Sequence, residues 1–325
     1  MAIVIANLGR SSELPGKLRT LLSRLFGPLM RLLQLKKKKK SPTRGARSQS
    51  RSNDIIVSGS DQVDTVWSPE RLNVMSLLWG EGCTSPYSAE FLRVSLPMLG
   101  LSEKKSLLQL GAGLGGIGRK MVEETGVWVT GLEADEELAG LGKDQTKMAG
   151  MQKRAPVTLA NFEAVKLKEN SFNTVISLES LYRVKDKEQL YTAMADALRV
   201  DGELLMTDFV LASDARGGDV VAQWGAREAT PPHLWKAETI QAFLKTLNMD
   251  VRPFEDITAR YRAGIFSGFF RYLSNVTKPE LLEVSGDLIA ECEYWAKQLS
   301  AIDSGDLKVF KFNAIKLPKK RKSMV

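Results

Sequence analysis

The chain has 325 residues, of which 43% are hydrophobic and 26% are charged, and this composition suits one large globular domain with appendages. Residues 1–53 hold 13 Lys and Arg against one acidic residue, and four more basic residues follow at 319–322. The overall charge of +8 therefore leaves −8 on residues 54–318, which disfavours nucleic-acid substrates except through the basic tails. The chain has only two cysteines and one histidine, His233. These numbers exclude a disulfide framework and a zinc or hydrolase site built on histidines. We therefore predict no metal and place His233 in a loop.

The first predicted element is an amphipathic helix at residues 18–35, whose apolar residues recur with helical spacing. Its three arginines and the Gly27-Pro28 pair make a membrane-spanning role unfavourable. Lys36–Lys40 follow directly, and apolar insertion combined with attraction to acidic headgroups predicts that residues 18–40 bind an anionic membrane surface. This interpretation places the protein in the cytoplasm, peripheral on a membrane.

Two other interpretations of the N-terminal segment remain open. Residues 41–53 are polar and typical of a flexible tether, so residues 1–53 as a whole also fit a solubilising arm. Their Arg- and Ser-rich composition fits an organelle transit peptide as well, which would make the protein organellar. In each case residues 54–318 are predicted to form the folded domain, with cap helices at its start, and 319–325 a basic tail.

The folded domain is predicted to open with a helix and a covering loop. Ser68 is a candidate helix cap before Pro69 and Glu70, and the loop from Trp79 to Ser85 leads into a second helix at Tyr87–Leu99. A loop at this position precedes the first strand and is expected to cover a site.

The most informative stretch runs from Leu107 to Glu133. An apolar strand ends at Gly111, and Gly113 and Gly115 allow a sharp turn whose backbone approaches a ligand closely, with the N–H groups of the next helix pointing at it. Glu133 follows the second strand about 20 residues on, where its carboxylate is placed to accept ribose hydroxyls. Glycines 111, 113 and 116 also satisfy the dinucleotide fingerprint, so these residues alone leave the cofactor open.

Further strands and helices follow in a recognisable order. The segment at 158–165 leads into a strand at Thr174–Leu178, a helix at Asp186–Arg199, a turn and strand at 201–209, a helix at Lys278–Ser300 and a last strand at Leu307–Leu317. With the glycine loop and Glu133, this succession resembles the class I S-adenosylmethionine-dependent methyltransferases over about residues 68–316. The resemblance implies a Rossmann-like α/β fold with a seven-stranded, mostly parallel sheet and an antiparallel C-terminal hairpin.

The resemblance also implies S-adenosylmethionine as the cofactor. The residues that we predict to bind it are Gln109, Gly111, Gly113, Gly115, Glu133, Ala134, Asn161, Phe162 and Ser177. Three positions that carry aspartate in the family pattern carry amides here, at Gln109, Asn161 and Asn173, so Glu133 is the main carboxylate of the predicted site.

The covering loop resembles that of phosphoethanolamine and related small-molecule N-methyltransferases, and an E-D-I-T-x-x-Y segment at 255–261 recurs in the same branch, where it implies a lid over the acceptor. We therefore predict methyl transfer to a small-molecule or lipid-linked acceptor, an amine, at the membrane surface. The alternative is a catalytically inactive protein of this fold that binds membranes, RNA or an assembly. The candidate catalytic residues are Glu179, as the base, and Tyr182; the candidate substrate-binding residues are Trp79, Tyr87, Arg183 and Tyr261.

Overall fold

The computed structural model describes residues 67–215 and 218–318. The predicted membrane-binding segment at 18–40, the tether and the tail at 319–325 lie outside the described residues. Within the described ranges, every helix is too short or too polar to cross a bilayer.

The described residues form an α/β sheet with the strand order β3-β2-β1-β4-β5-β8-β6, and β7 pairs with β8 beside this path. The first five strands are parallel, whereas β8 runs antiparallel to β5 and to β6. This arrangement confirms the predicted fold class, with the two-residue β7 as an eighth strand. The strands are β1 (Ser106–Leu110), β2 (Trp128–Glu133), β3 (Val157–Leu159), β4 (Phe172–Leu178), β5 (Leu198–Leu211), β6 (Met249–Val251), β7 (Glu255–Asp256) and β8 (Leu307–Lys316).

The central strands form because both faces of the sheet are covered. Leu107, Leu108, Val175 and Ile176 are all fully buried, as expected for parallel strands that carry continuous apolar runs. The strand order reverses between β1 and β4, and at such a point the carboxyl ends of the strands open a crevice for a ligand. The helices beside the sheet are α3 (Gly116–Thr125), α4 (Glu136–Met148), α5 (Lys187–Ala197) and α7 (Ala237–Thr246).

A helical cap lies over this crevice. Its first helix, α1 (Pro69–Trp79), begins as predicted, because the Ser68 hydroxyl accepts a hydrogen bond from the Arg71 N–H at 3.1 Å. Trp79 joins the cap helices through edge-on contacts with Phe269 and Trp295 at ring distances of 5.8 and 4.9 Å. The other cap elements are α2 (Ser88–Glu90), α8 (Thr258–Asn275), α9 (Lys278–Glu283) and α10 (Ser285–Asp303).

Two predicted elements differ from the structure. The single helix expected at Lys278–Ser300 is divided into α9 and α10, because the backbone leaves helical geometry at Val284, where ψ is 15°. Between β5 and α7 lies a short helix, α6 (Asp219–Gly225), whose Trp224 is fully buried in the core. The predicted helix at Tyr87–Leu99 is helical but irregular, since π-helical Phe91–Ser95 and 3-10 Leu96–Leu99 follow α2.

Candidate active site

The glycine turn at the end of β1 forms one wall of the crevice. Gly111, Gly113 and Gly115 have φ values of 74°, 53° and 75°, a region that side-chain-bearing residues rarely adopt. A Cβ atom on Gly111 would lie 2.1 Å from the Ser180 hydroxyl oxygen, so the turn can approach the end of β4 only without a side chain. The predicted turn is therefore present, and close approach requires glycine there.

The covering loop rests on the start of α3, which the sequence did not reveal. The Gly116 N–H donates to the Gly82 carbonyl at 3.1 Å, and a Cβ atom on Gly116 would lie 2.5 Å from that same oxygen. The Gly116 hydrogen bond thus fixes the covering loop, whose Thr84 and Ser85 line the crevice.

Glu133 ties the glycine turn to the end of β2. One carboxylate oxygen accepts a hydrogen bond from the Gly113 N–H at 2.6 Å, and the other accepts from the N–H groups of Ala134 and Asp135 at 2.8 and 3.0 Å. A carboxylate has about four lone-pair positions, and these three hydrogen bonds leave some acceptor capacity for a ligand. Glu133 lines the crevice, where a ligand can reach it.

One end of the crevice is a cavity of about 270 Å³ beside β2. Glu133, Ala134, Asn161 and Phe162 all line it, so the structure brings these four predicted cofactor residues together. The Asn161 side-chain oxygen accepts from the Glu163 N–H at 3.0 Å and shapes the turn. Trp67 closes this end, since its indole N–H donates to an Asp135 carboxylate oxygen at 3.3 Å.

Five predicted residues lie behind the walls of the crevice. Gln109 is buried under α3, where its side-chain oxygen is 3.4 Å from the position that a Cβ of Gly118 would take. Ser177 is fully buried in β4, and Gly115 caps the start of α3. Trp79 and Tyr87 belong to the hydrophobic core of the cap. The structure therefore does not bring these five residues to the cavities that Glu133 and the other predicted residues line.

Glu179 occupies the position expected for the candidate base, directly after β4. It has a φ of 45°, and its carboxylate accepts hydrogen bonds from the hydroxyls of Ser85 in the covering loop and Thr207 in β5. Burial raises the pKa of Glu179 to about 7; the nearby Asp208 charge contributes to this increase, whereas the two hydroxyl hydrogen bonds act in the opposite direction. Near neutral pH this carboxyl is therefore poised between its two protonation states.

The space beside Glu179 is a cavity of about 110 Å³ with aromatic walls. Phe209 packs edge-on against Tyr182 and Tyr261 at ring distances of 5.0 and 5.4 Å. Tyr182, Arg183 and Tyr261 line this cavity, so three of the predicted acceptor-side residues are brought together with Glu179. This acceptor end shares Trp67, Glu133, Leu138, Ser180 and Arg183 with the cavity beside β2.

The side chain of Glu228 is buried and organises one side of the acceptor end, although no sequence pattern pointed to it. Tyr182 donates its hydroxyl to Glu228 at 2.6 Å, Tyr294 donates at 2.8 Å, and the Arg183 guanidinium donates at 2.8 Å. Burial raises the pKa of Tyr182 well above its usual value, and the Glu228 charge acts in the same direction. Tyr182 therefore stays protonated. Its hydroxyl proton is donated to Glu228, and the residue lines the cavity.

A second buried carboxylate, Glu291, lies on the cap side. It accepts from the Arg71 guanidinium at 2.8 Å and from the Trp295 indole N–H at 2.9 Å. Gln298, one turn beyond Trp295 on α10, is also buried and lines the cavity. These residues come from helices far from the motifs, so local patterning could not single them out.

The crevice fits S-adenosylmethionine. Gly111 and Gly113 form a cradle that tolerates close backbone approach, Glu133 offers a carboxylate, and Ala134 and Phe162 give the adenine side an apolar wall. These residues would hold the cofactor, and Gly111 and Gly113 line the same cavity as Glu179, where the cofactor and the acceptor would meet. The arrangement suits transfer of a group between two ligands that meet in an enclosed space.

Comparisons with known proteins decide the family. The family model described as mycolic acid cyclopropane synthetase matches residues 89–267, which is more than half of the chain. The chain belongs to this family. The predicted family is thereby confirmed, and the methyltransferases of this family use S-adenosylmethionine, the predicted cofactor, as the methyl donor.

The named relatives of this chain are methyltransferases of varied small molecules. A glycine/sarcosine/dimethylglycine N-methyltransferase of Actinopolyspora halophila is 27% identical over 120 residues, which cover 37% of this chain and 21% of that protein. A cycloartenol-C-24-methyltransferase of Arabidopsis thaliana is 28% identical over 131 residues, covering 37% of this chain and 39% of that protein. The chain thus matches less than half of the length of the curated relatives.

A solved structure shows the same fold. Phosphoethanolamine N-methyltransferase 2 of Haemonchus contortus, in complex with phosphomonomethylethanolamine and S-adenosylhomocysteine, superposes with a TM-score of 0.65 at 17% identity. The match covers 78% of this chain and 60% of that chain.

Proposed function

We propose that this protein transfers a methyl group from S-adenosylmethionine to a small-molecule or lipid-linked amine that it meets at a membrane surface. The observation that carries the proposal is Glu179, a buried carboxyl with a pKa of about 7 that faces an enclosed, aromatic cavity at the end of the cofactor crevice. A general base is most effective when its pKa lies near the working pH, because it is then both available and strong enough.

When bound, S-adenosylmethionine supplies an electrophilic methyl group on a sulfonium sulfur. Glu179 accepts the proton of the ammonium form of the acceptor, which frees the nitrogen lone pair. Gly111, Gly113 and Glu133 would hold the cofactor so that this lone pair could take its methyl group, and the electron pair of the carbon–sulfur bond would remain on sulfur. The covering loop excludes water and the aromatic walls orient the acceptor, and such positioning lowers the barrier by up to about 7–11 kcal/mol.

The charges around the acceptor end favour a cationic or neutral acceptor over an anionic one. Both arginines that line this end are already paired, Arg71 with Glu291 and Arg183 with Glu228. Tyr182, Phe209 and Tyr261 line the cavity, and aromatic rings attract alkylammonium groups, as the Arg183 guanidinium over the Tyr182 ring at 4.7 Å already illustrates. A phosphorylated acceptor would need cations that this lining does not leave unpaired among the described residues.

Labelled cofactor tests the proposal. The purified protein is incubated with methyl-labelled S-adenosylmethionine and cell extract divided into lipid, aqueous small-molecule and macromolecular fractions. We expect label in the lipid or small-molecule fractions, in basic compounds. Label mainly in nuclease-sensitive material would overturn the small-acceptor proposal. Cofactor binding without transfer to any fraction would favour the inactive alternative.

The membrane part of the proposal has its own test. Removal of residues 1–53 should release the protein from anionic vesicles and leave the affinity for S-adenosylhomocysteine unchanged. Near-molar salt should weaken but not abolish binding of the full chain, because salt screens the lysines and not the apolar helix face. Equal sedimentation of the two forms with vesicles would favour a solubilising arm or a transit peptide.

A further inference from the structure

A second concavity lies on the outer face of the cap, away from the crevice. It has a volume of about 590 Å³ and lies between α1, the C-terminal end of α8 and α9. We call it the cap groove. Its residues are Glu70, Asn73, Leu77, Arg271, Tyr272, Asn275, Val276, Glu280, Glu283 and Val284.

The floor of the cap groove is apolar. Leu77 has 46% of its surface exposed there, although most apolar residues of α1 are buried. Val276 and Val284 are partly buried beside it. Tyr272 is 4% exposed, and its hydroxyl makes no hydrogen bond within the described part of the chain. An occupant of the groove would cover Leu77 and could offer this hydroxyl a partner.

The rim of the cap groove is acidic. Glu70, Glu280 and Glu283 are all exposed along it. Arg271 is the cation among the groove residues, and its guanidinium already donates to the Leu78 carbonyl at 2.6 Å. An occupant with one apolar face and several basic side chains would match both the floor and the rim.

We propose that this occupant is the protein's own basic amphipathic segment, residues 18–40. The segment combines seven apolar residues at helical spacing with Arg19, Arg24, Arg31 and Lys36–Lys40. Only 26 residues separate Lys40 from Trp67, and α1 begins two residues later. That length of chain spans at most about 85–95 Å, so the covalent link both permits docking in the groove and gives the segment a high effective concentration there.

Docking would connect the membrane segment to the active site through α1. The outer face of this helix carries Glu70 and Leu77 into the cap groove, whereas its inner face carries Arg71 and Met75 into the acceptor end. The same apolar residues of the segment cannot be buried in the groove and in a bilayer at once. An anionic membrane therefore competes with the groove, and this competition rests on the proposed membrane binding.

Site-specific cross-linking of the full chain tests the proposal. Gln34→Cys places a thiol in the segment without removing an apolar or charged residue, and Asn73→Cys places one on the groove rim; both native cysteines are buried. The comparison pair combines Gln34→Cys with Met148→Cys, which is 80% exposed and outside the groove. Under dilute, mildly oxidising conditions, we expect the disulfide to Asn73→Cys to form about tenfold faster or more.

Charge reversal separates docking from simple proximity. Glu70→Lys with Glu283→Lys should slow the cross-link to Asn73→Cys, whereas Glu103→Lys with Glu169→Lys, exposed and outside the groove, should not. Anionic vesicles should slow it and neutral vesicles should not. Equal rates at Asn73→Cys and Met148→Cys, no effect of the groove reversal, or cross-links between two copies would each overturn the proposal. Retained binding of S-adenosylhomocysteine shows that the variants fold, and since the readout needs no turnover, it is independent of methyl transfer.

Discussion

The two ends of the crevice are built in different ways. The cofactor end is formed within residues 111–133 and the turn at 161–162, and it relies on backbone N–H groups, missing side chains and one carboxylate. The acceptor end is formed by side chains from α1, the covering loop, the ends of β4 and β5, α8 and α10, which are up to about 230 residues apart in sequence. Backbone geometry specifies the first end, and tertiary packing specifies the second.

The difference predicts how each end responds to substitution. At the cofactor end, Glu133 meets three backbone N–H groups, so its main role is to hold a turn and offer acceptor capacity to a ligand. At the acceptor end, Glu179 meets two hydroxyls in a buried setting that raises its pKa to about 7. The first carboxylate should govern binding, and the second should govern turnover.

The largest effect is expected from Glu179→Gln, which keeps the size of the side chain and its capacity for hydrogen bonds with Ser85 and Thr207. Removal of the base should lower turnover by about 10²–10⁴-fold, because that is the usual contribution of a positioned general base. Affinity for S-adenosylhomocysteine should change little. Single-turnover transfer of labelled methyl and calorimetry measure the two quantities.

The control for Glu179→Gln is Glu188→Gln, an exposed carboxyl in the first turn of α5 outside the cavity, which should leave both quantities unchanged. Unchanged turnover in Glu179→Gln would remove this residue from the mechanism and leave the family and fold intact.

The pH dependence of turnover should differ from that of cofactor binding. Because the pKa of Glu179 is raised to about 7, the carboxyl is neutral below that pH and charged above it. A base acts in its charged form, so kcat/KM should fall about tenfold per pH unit below 7, whereas cofactor affinity should stay nearly flat.

Asp208 is the necessary comparison for the pH profile, since burial also raises its pKa to about 7. Its charge contributes to the raised pKa of Glu179, so Asp208→Asn should move the inflection to lower pH without removing it. An inflection that persists in Glu179→Gln and disappears in Asp208→Asn would assign the titration to Asp208 instead.

At the cofactor end, Glu133→Ala should weaken S-adenosylhomocysteine binding by about 1.5–3 kcal/mol, the range for hydrogen bonds to a charged group. Saturating cofactor should restore most of the turnover, which distinguishes this variant from Glu179→Gln. Glu136→Ala, an exposed neighbour at the start of α4, is the matched control. Equal affinities in the two variants would show that Glu133 supports the turn without contacting the cofactor.

The same difference explains how much could be predicted from the sequence. The glycine turn, Glu133 and the succession of strands and helices are local patterns, so the fold class and the turn at the end of β1 could be predicted. Glu179 could be placed because it directly follows β4, but its partners Ser85 and Thr207 could not, since they lie 94 and 28 residues away. Glu228 and Glu291 have no local signature, because their partners, such as Tyr182 and Arg71, come from distant parts of the chain.

The smallest effect concerns the partners of Glu228 at the acceptor end. Tyr294→Phe removes one of the two tyrosine hydroxyls on this buried carboxylate and leaves Tyr182 and Arg183 in place. Loss of one hydrogen bond to a charged group should lower the free energy of unfolding by about 1–3 kcal/mol. Tyr272→Phe is the control in the same cap, because its hydroxyl makes no hydrogen bond among the described residues, and it should leave the unfolding free energy unchanged or slightly raised. Urea titration of the two variants measures the difference. If both lose the same stability, then Glu228 is not held by its tyrosines, and the acceptor end owes its shape to packing of the rings alone.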